Sequence, residues 1–422
     1  MTEISIAKQQ PSFFYGYALA GYSFAMGFLA SSFFLHSRGI FFPVWMQEFA
    51  VDRTEISLVV SLVLFTSSCA APFVGYLIDK FPLKIIICTG ASWMALGYFS
   101  LQFVDGYTQF FVTFVLFQGL GWVCVGPLTQ TKLMVNWFAR NRGLALGIAI
   151  MGISVAGVVM PTLAAWLSKT LGWQNSYSLY GAILVLFIVP VTLLVVKQSP
   201  AVIGQSPDGD SSSMPQAVVG PIVNQSNFQV YREFLTSKAF WSVVITFGLM
   251  NGVYSAMMTH LPNYLTTELR FTLYDASYVL GVAGAFAIVG KIIFGWMMDH
   301  IDAKRTVLTA VTSYFCSTLV FISVDNYLLM MFAAALFGLG FGGMVPVRSV
   351  LISRLFGVNK FSRVNGLFSF FLAPATFWVL ITGYITDTFG SYQYAFQVWA
   401  VAFFLAGIIT LMVRLPNRED AA

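Results

Sequence analysis

Charge is scarce in this sequence. Aspartate, glutamate, lysine and arginine together supply 9% of its 422 residues, against about a quarter in ordinary soluble domains. So little charge cannot clothe a surface that faces water on all sides, and 58% of the residues are hydrophobic. A soluble globular protein is excluded, and a chain that crosses a membrane many times is expected. Cysteine is scarce too. The four, Cys69, Cys88, Cys124 and Cys316, sit singly in apolar runs. None has metal-ligand spacing, so packing is their expected role. Alternating barrel strands are absent, which leaves helices to satisfy the backbone in lipid. The formal charge of +5 resides in short loops rather than on a patch, so no nucleic-acid partner is expected. The opening "MTEISIAKQQPS" lacks the basic stretch of a signal peptide, and the apolar run after it is too long for one. It is expected to stay as a spanning helix.

What is present is hydrophobic length. A spanning helix needs about 20 mostly apolar residues. Twelve such segments are predicted, at 13–38, 56–78, 84–103, 108–134, 143–168, 173–196, 239–262, 276–298, 305–323, 326–351, 364–388 and 391–413. The one long polar stretch, 198–236, is rich in Ser, Pro and Gly. It predicts a flexible cytoplasmic linker between an N-terminal half, 1–197, and a C-terminal half, 237–422. With the N-terminus inside, fifteen of the 22 lysines and arginines fall on the inner side and only Arg53, Lys169 and Arg270 outside. That bias predicts cytoplasmic termini and an even number of spans. A plasma (inner) membrane location is expected.

The halves echo each other. "GYLIDKFPLK" (75–84) pairs with "GWMMDHIDAKR" (295–305), "FQGLGWVCVGP" (117–127) with "FGLGFGGMVP" (337–346), and "GWQNSYSLY" (172–180) with "GSYQYAFQVW" (390–399). A duplicated six-helix unit predicts a pseudo-symmetric transporter with its site near the midplane. Gly338–Gly343 formally spells GxGxxG, but it lies inside an apolar span with no strand before it, so a dinucleotide site is rejected. Gly143-x-x-x-Gly147 predicts close helix contact.

The ionisable residues point to the cargo. All 17 acids fall at segment ends, loops or tails, whereas His36, Arg38, Lys132, Lys291 and Arg348 fall within spans. A mid-bilayer charge costs roughly 2.5–3.5 kcal/mol on insertion scales, and such residues usually face a wet cavity. Cations held there without acids want an anion, and the substrate is the economical supplier. Lys291 is the strongest, because its counterpart in the first half is Ala71, so the repeat does not require it. Arg348 is a second candidate, with a snorkelling or gate role as the alternative. Lys132 is expected to snorkel. His36 and Arg38 are two residues apart, about 200° on a helix, so one cavity cannot take both. Gln118, Asn251 and Tyr254 are neutral groups in apolar runs, suited to substrate contact or to helix–helix bonding. His260, near the outer end of its span, is expected to be a gate or interface residue.

The duplicated glycine-to-aspartate motif resembles the loop signature of the major facilitator superfamily. "NWFARNRGLALGIAIMGISVAG" (136–157), "FFYGYAL" (13–19), "GIFFPVWMQEFAVDRTEIS" (39–57) and "GSYQYAF" (390–396) resemble its monocarboxylate-transporter branch and the related bacterial oxalate/formate antiporters. The resemblance implies an all-α fold of twelve transmembrane helices, alternating access, and no enzyme activity or cofactor. It implies a gate in which Asp79 and Asp299 pair with loop cations such as Arg142 and Arg363. It also places Lys291 where the family binds substrate with an arginine, and His36 where it has a lysine linked to proton and substrate binding. Ala287 stands where the family has an aspartate. Uniport, proton symport and anion exchange therefore all stay open. The function expected is secondary active transport of small monocarboxylates of the lactate or pyruvate type by a monomer in the bilayer, with the proton as a candidate partner. The alternatives are an oxalate/formate-type exchanger and a neutral, sugar-like carrier. Cation efflux is disfavoured because no buried acid is found, and a membrane enzyme because no nucleophile, metal or phosphate motif is.

Overall fold

The computed structural model describes residues 14–138, 142–209, 235–323, 325–356 and 367–412. Every regular element among them is helical. Eleven stretches are long and apolar enough to cross a membrane, and one of these, Ala145–Val195, has 51 residues. A straight helix of that length would run about 77 Å, more than twice a bilayer core. It folds at Gly172, whose φ of 76° and ψ of 171° leave the helical region. Twelve crossings result, as the hydrophobic lengths predict. They are α1 (Gly16–Phe49), α2 (Arg53–Lys80), α3 (Leu83–Ser100), α4 (Tyr107–Trp137), α5 (142–171), α6 (173–195), α7 (Lys238–Thr267), α8 (Leu273–His300), α9 (Ala303–Ser323), α10 (Tyr327–Phe356), α11 (Leu367–Phe389) and α12 (Tyr392–Met412). A band of exposed Leu, Ile, Phe and Val, such as Leu186, Leu194, Ile292 and Leu328, covers the outside. That is the surface a lipid solvent calls for.

The duplication reaches into the helix caps. Asp52 and Glu55 form a capping box at the start of α2, and Thr272 and Asp275 form one at the start of α8. Each reciprocal pair satisfies amide groups that the first turn leaves bare. α5 and α11 turn off at equivalent glycines, Gly172 and Gly390, both with positive φ near 75°. Those angles suit a residue without Cβ.

Two departures from the expected spans matter. α1 does not stop near residue 38. It passes through a widened π turn at Ser32–His36 and continues from Arg38 to Phe49. Ile40, Phe41, Phe42 and Trp45 in this continuation are buried, so packing extends the helix where a loop was expected. The stretch after α6 is fastened rather than free as far as Gln205. Trp137 Nε1 donates to the Lys197 carbonyl at 2.9 Å, Asn136 Nδ2 to the Gln198 carbonyl at 3.1 Å, and the Tyr15 amide to Gln205 Oε1 at 3.1 Å. Further π turns lie in α4 (Phe114–Gln118) and α6 (Leu184–Ile188).

The first six and the last six helices meet along a seam. We call the end where α6 leaves and α7 begins the linker face, and the other the far face. Contacts across the seam run from the far face to the middle. Arg53 pairs with Asp387, Ser61 Oγ accepts from the Leu380 amide at 3.0 Å, and Phe65 meets Phe377. Gly157 backs onto Gly284, Gly39 onto the Met258 carbonyl, and Lys169 lies over the Tyr274 ring. Toward the linker face, a Cβ at Gly75, Gly147 or Gly295 would meet nothing within 4 Å. Among the described residues, the contacts across the seam thus lie between the far face and its middle.

Candidate functional site

The seam gathers three of the singled-out residues. The π turn of α1 carries His36, and the turn after it carries Arg38. The two side chains diverge, as their spacing predicts. His36 is buried and its Nε2 lies 3.1 Å from the Ile153 carbonyl of α5. It stands close enough to Lys291 and Arg38 for both charges to act on it. Arg38 is 3% exposed and turns to α7, where its Nη2 donates to Ser255 Oγ at 2.9 Å. Its Nε is buried with no partner.

Lys291 projects from α8 across the seam and donates to Ser154 Oγ of α5. α8 can bring it there because glycines let the neighbouring helices come close. A Cβ on Gly284 would lie 2.6 Å from the Gly157 carbonyl carbon, and one on Gly342 would strike the Lys291 amide nitrogen at 2.7 Å. Among the described residues, Lys291 and Arg38 thus have hydroxyl partners and no carboxylate. The ion pair found among the described residues is Arg53–Asp387, at the far face.

Around these charges stand aromatic walls. The Tyr254 ring lies flat on Phe341 of α10, with centroids 3.4 Å apart, and near enough to Arg38 to interact electrostatically. Asn251, one turn away on α7, is half-buried. Such an arrangement offers an anion two cationic side chains, hydroxyl donors and apolar surface for an organic skeleton.

Other predicted residues lie elsewhere. Gln118 is buried between α3 and α4, with Nε2 donating to the Met94 carbonyl at 3.3 Å. The Arg348 guanidinium sits 5.3 Å from the Phe368 ring centre, bridging α10 and α11, and its Nε is buried without a partner. Of the gate residues, Arg363 lies outside the described residues, as do the side chains of Asp79, Arg142 and Asp299.

A second cluster, at the far face, escaped the sequence reading. Asp387 of α11 accepts from the Thr54 amide at 2.7 Å, Thr54 Oγ1 at 2.6 Å and Arg53 Nη1 at 3.4 Å. It thereby satisfies a bare amide at the start of α2 from the opposite half. His260, fully buried, joins Ser57 Oγ (3.1 Å), the Val379 carbonyl (2.9 Å) and the Tyr392 hydroxyl (3.1 Å). Asp387 ends its helix like any other terminal acid, so nothing local marked it. His260 carried a signal, an ionisable ring in an apolar helix, but not the fully buried network it joins.

A model of the Major Facilitator Superfamily matches residues 12–373 and 286–422. The chain is 25% identical over 395 residues to monocarboxylate transporter 13 of Rattus norvegicus, covering 91% of this chain and 85% of that one. It is 24% identical over 375 residues to the uncharacterized MFS-type transporter YcxA of Bacillus subtilis (strain 168), covering 83% and 86%. Among solved structures it resembles a bacterial homolog of the human lysosomal transporter Spinster in an inward-facing, unoccupied conformation. The TM-score is 0.75 at 12% identity, over 95% of this chain and 97% of that one.

Proposed function

Since the chain belongs to the Major Facilitator Superfamily, and is therefore a secondary transporter rather than an enzyme, we propose that it carries small organic anions, with monocarboxylates of the lactate or pyruvate type as the leading substrates. The observation that carries this reading is Lys291 beside His36, with Arg38 close by, at the middle of the seam and, among the described residues, without a carboxylate partner. An anion bound there neutralises the cavity, and the Tyr254–Phe341 wall receives the carbon skeleton. The two six-helix halves, 1–197 and 237–422, rock about this site. The excess of lysine and arginine beside the linker supports a cytoplasmic linker face. The names of the monocarboxylate-transporter relatives support the substrate class.

The test is uptake of labelled lactate, pyruvate, formate and oxalate into vesicles containing the purified protein, with glucose as the neutral control. Lys291→Ala is expected to lower anion uptake by about 10- to 100-fold, the loss that goes with one charged hydrogen bond, while the protein still reaches the membrane. Normal uptake by that variant rejects the assignment. Uptake of glucose but of no anion favours the neutral carrier.

A further inference from the structure

The outer wall of the bundle carries two grooves in equivalent places. One, of about 400 Å³, runs along α3 and is lined by Cys88, Thr89, Ser92, Trp93 and Leu96. The other, of about 420 Å³, runs along α9 and is lined by Leu308, Thr309, Thr312, Ser313 and Cys316, with Leu336 of α10. Each residue of the first has its counterpart 220 positions on in the second. The repeat extends to their bonds. Trp93 Nε1 donates to the Leu116 carbonyl of α4 at 3.3 Å, and Ser313 Oγ to the Leu336 carbonyl of α10 at 2.6 Å. Thr89 Oγ1 donates to the Ile85 carbonyl and Thr309 Oγ1 to the Arg305 carbonyl, both at 2.9 Å. Those hydroxyls are spent on their own helix, and what each threonine has left is a methyl group. Ile85, Leu116 and Leu319 are exposed nearby, so the grooves face lipid rather than water. Their volumes fall in the roughly 300–1,000 Å³ of sites that hold one small molecule, and their walls suit an alkyl chain.

The two differ at the end nearest the linker face. Residues four apart share a helix face, and the row along each groove starts on a lysine. The rows are Lys84, Cys88, Ser92, Leu96 and Lys304, Leu308, Thr312, Cys316. Lys304 is engaged, since its Nζ donates to the Leu411 carbonyl of α12. Its loop also contains Asp302, whose carboxylate accepts from the Arg305 amide at 3.3 Å. Lys84 is exposed and has no partner among the described residues. It lies near enough to Cys88 to act on that thiol. The turn into α3 is Phe81–Pro82, with no acid, and Lys80 stands where the second half has His300.

We propose that the α3 groove is a binding site for an anionic phospholipid of the leaflet at the linker face. The lipid phosphate sits on Lys84, and one acyl chain lies along Cys88, Ser92 and Leu96. A basic side chain at the edge of the bilayer attracts anionic headgroups, and the trough adds apolar contact that a flat helix face does not offer. The α9 groove has the trough without a free lysine, so it takes a chain without selecting the head. The site is separate from the seam and does not depend on what is carried there.

The test is native mass spectrometry of the purified full chain, exchanged into micelles with phosphatidylglycerol or phosphatidylcholine, counting the lipid that stays bound. The parent protein is expected to retain phosphatidylglycerol over phosphatidylcholine. Lys84→Gln is expected to lower phosphatidylglycerol retention about fivefold, the loss that goes with one lysine at a membrane surface, and to leave phosphatidylcholine unchanged. Lys304→Gln is expected to lower neither. Ser92→Phe, which fills the trough and leaves Lys84 in place, is expected to lower both. Lys84 and Ser92 are exposed, so these changes spare the packed interior. Phosphatidylglycerol retention that survives Lys84→Gln overturns the proposal. An equal loss with Lys304→Gln overturns it too, because basic surface alone then suffices. So does retention untouched by Ser92→Phe. A doubled mass that Ser92→Phe abolishes gives the groove to a second copy of the chain and overturns the lipid.

Discussion

At the scale of single residues, what distinguishes this chain is where charge is kept and what answers it. Lys291 and Arg38 are answered by serines, whereas Arg53 is answered by an acid from the other half. The Arg53–Asp387 pair alone is worth little, because both side chains keep about a fifth of their exposure. The carboxylate matters more as an acceptor for the Thr54 amide and hydroxyl. Asp387→Asn removes that charge at the α2 terminus, a loss of about 1 kcal/mol by analogy with helix caps. The far face is expected to open more readily. A cysteine placed at Ser57 would then react faster with a maleimide added from the far face than the same cysteine in the parent protein, and an unchanged rate would show that Asp387 does not hold the seam. The cationic residues were legible because a lysine or arginine inside an apolar run violates composition locally. Asp387 was not, since its meaning lies in a partner 333 positions away.

Helices meet here through glycine, and one such close approach is between α5 and α8. Gly157 and Gly284 touch backbone to backbone, and His36 packs beside Gly157, with its Cε1 3.0 Å from where a Cβ would stand. Gly284→Leu forces a side chain into the Gly157 backbone. Overpacking of this kind costs about 1–3 kcal/mol, and the two helices are expected to part, lifting Lys291 away from Ser154. The checks are a lower thermal midpoint in detergent and a weaker response of anion uptake to substrate concentration. A variant with parental stability and uptake would mean the seam tolerates separation here. Sequence patterning predicted close packing for Gly143 and Gly147 on this helix. Yet a Cβ at Gly147 would meet nothing, the surroundings of Gly143 lie outside the described residues, and the tightest contact on this helix is at Gly152, against the Phe24 carbonyl of α1. Periodicity shows that a helix has a small-residue face. It does not show which part of that face is engaged.

For the whole molecule, hydrophobic length fixed the number of crossings, and the internal repeat fixed their pairing. Both are properties of composition over 20 or more residues, so they survive local irregularity. Helix ends did not, because packing carried α1 on to Phe49 and hydrogen bonds from Tyr15, Asn136 and Trp137 tied down the chain after α6. One irregularity ties the repeat to the backbone. From Phe117 to Phe337 the two copies are 220 positions apart, but from Gly119 to Gly338, and from Pro127 to Pro346, they are 219 apart. The first copy therefore holds one surplus residue, and by position it is Gln118. That residue closes the π turn of α4, while α10 runs as an unbroken α-helix from Tyr327 to Phe356. A widened turn swallows an inserted residue without rotating the later turns, whereas in a plain helix each added residue rotates them by about 100°. Removing Gln118 should thus leave a monodisperse protein with near-parental melting, and removing Leu339 from α10 should not; equal damage from both deletions would contradict this. Chain length is negotiable in α4 and strictly counted in α10, so the ancestral half could lengthen by one codon on one side of the molecule while its twin kept the original tally.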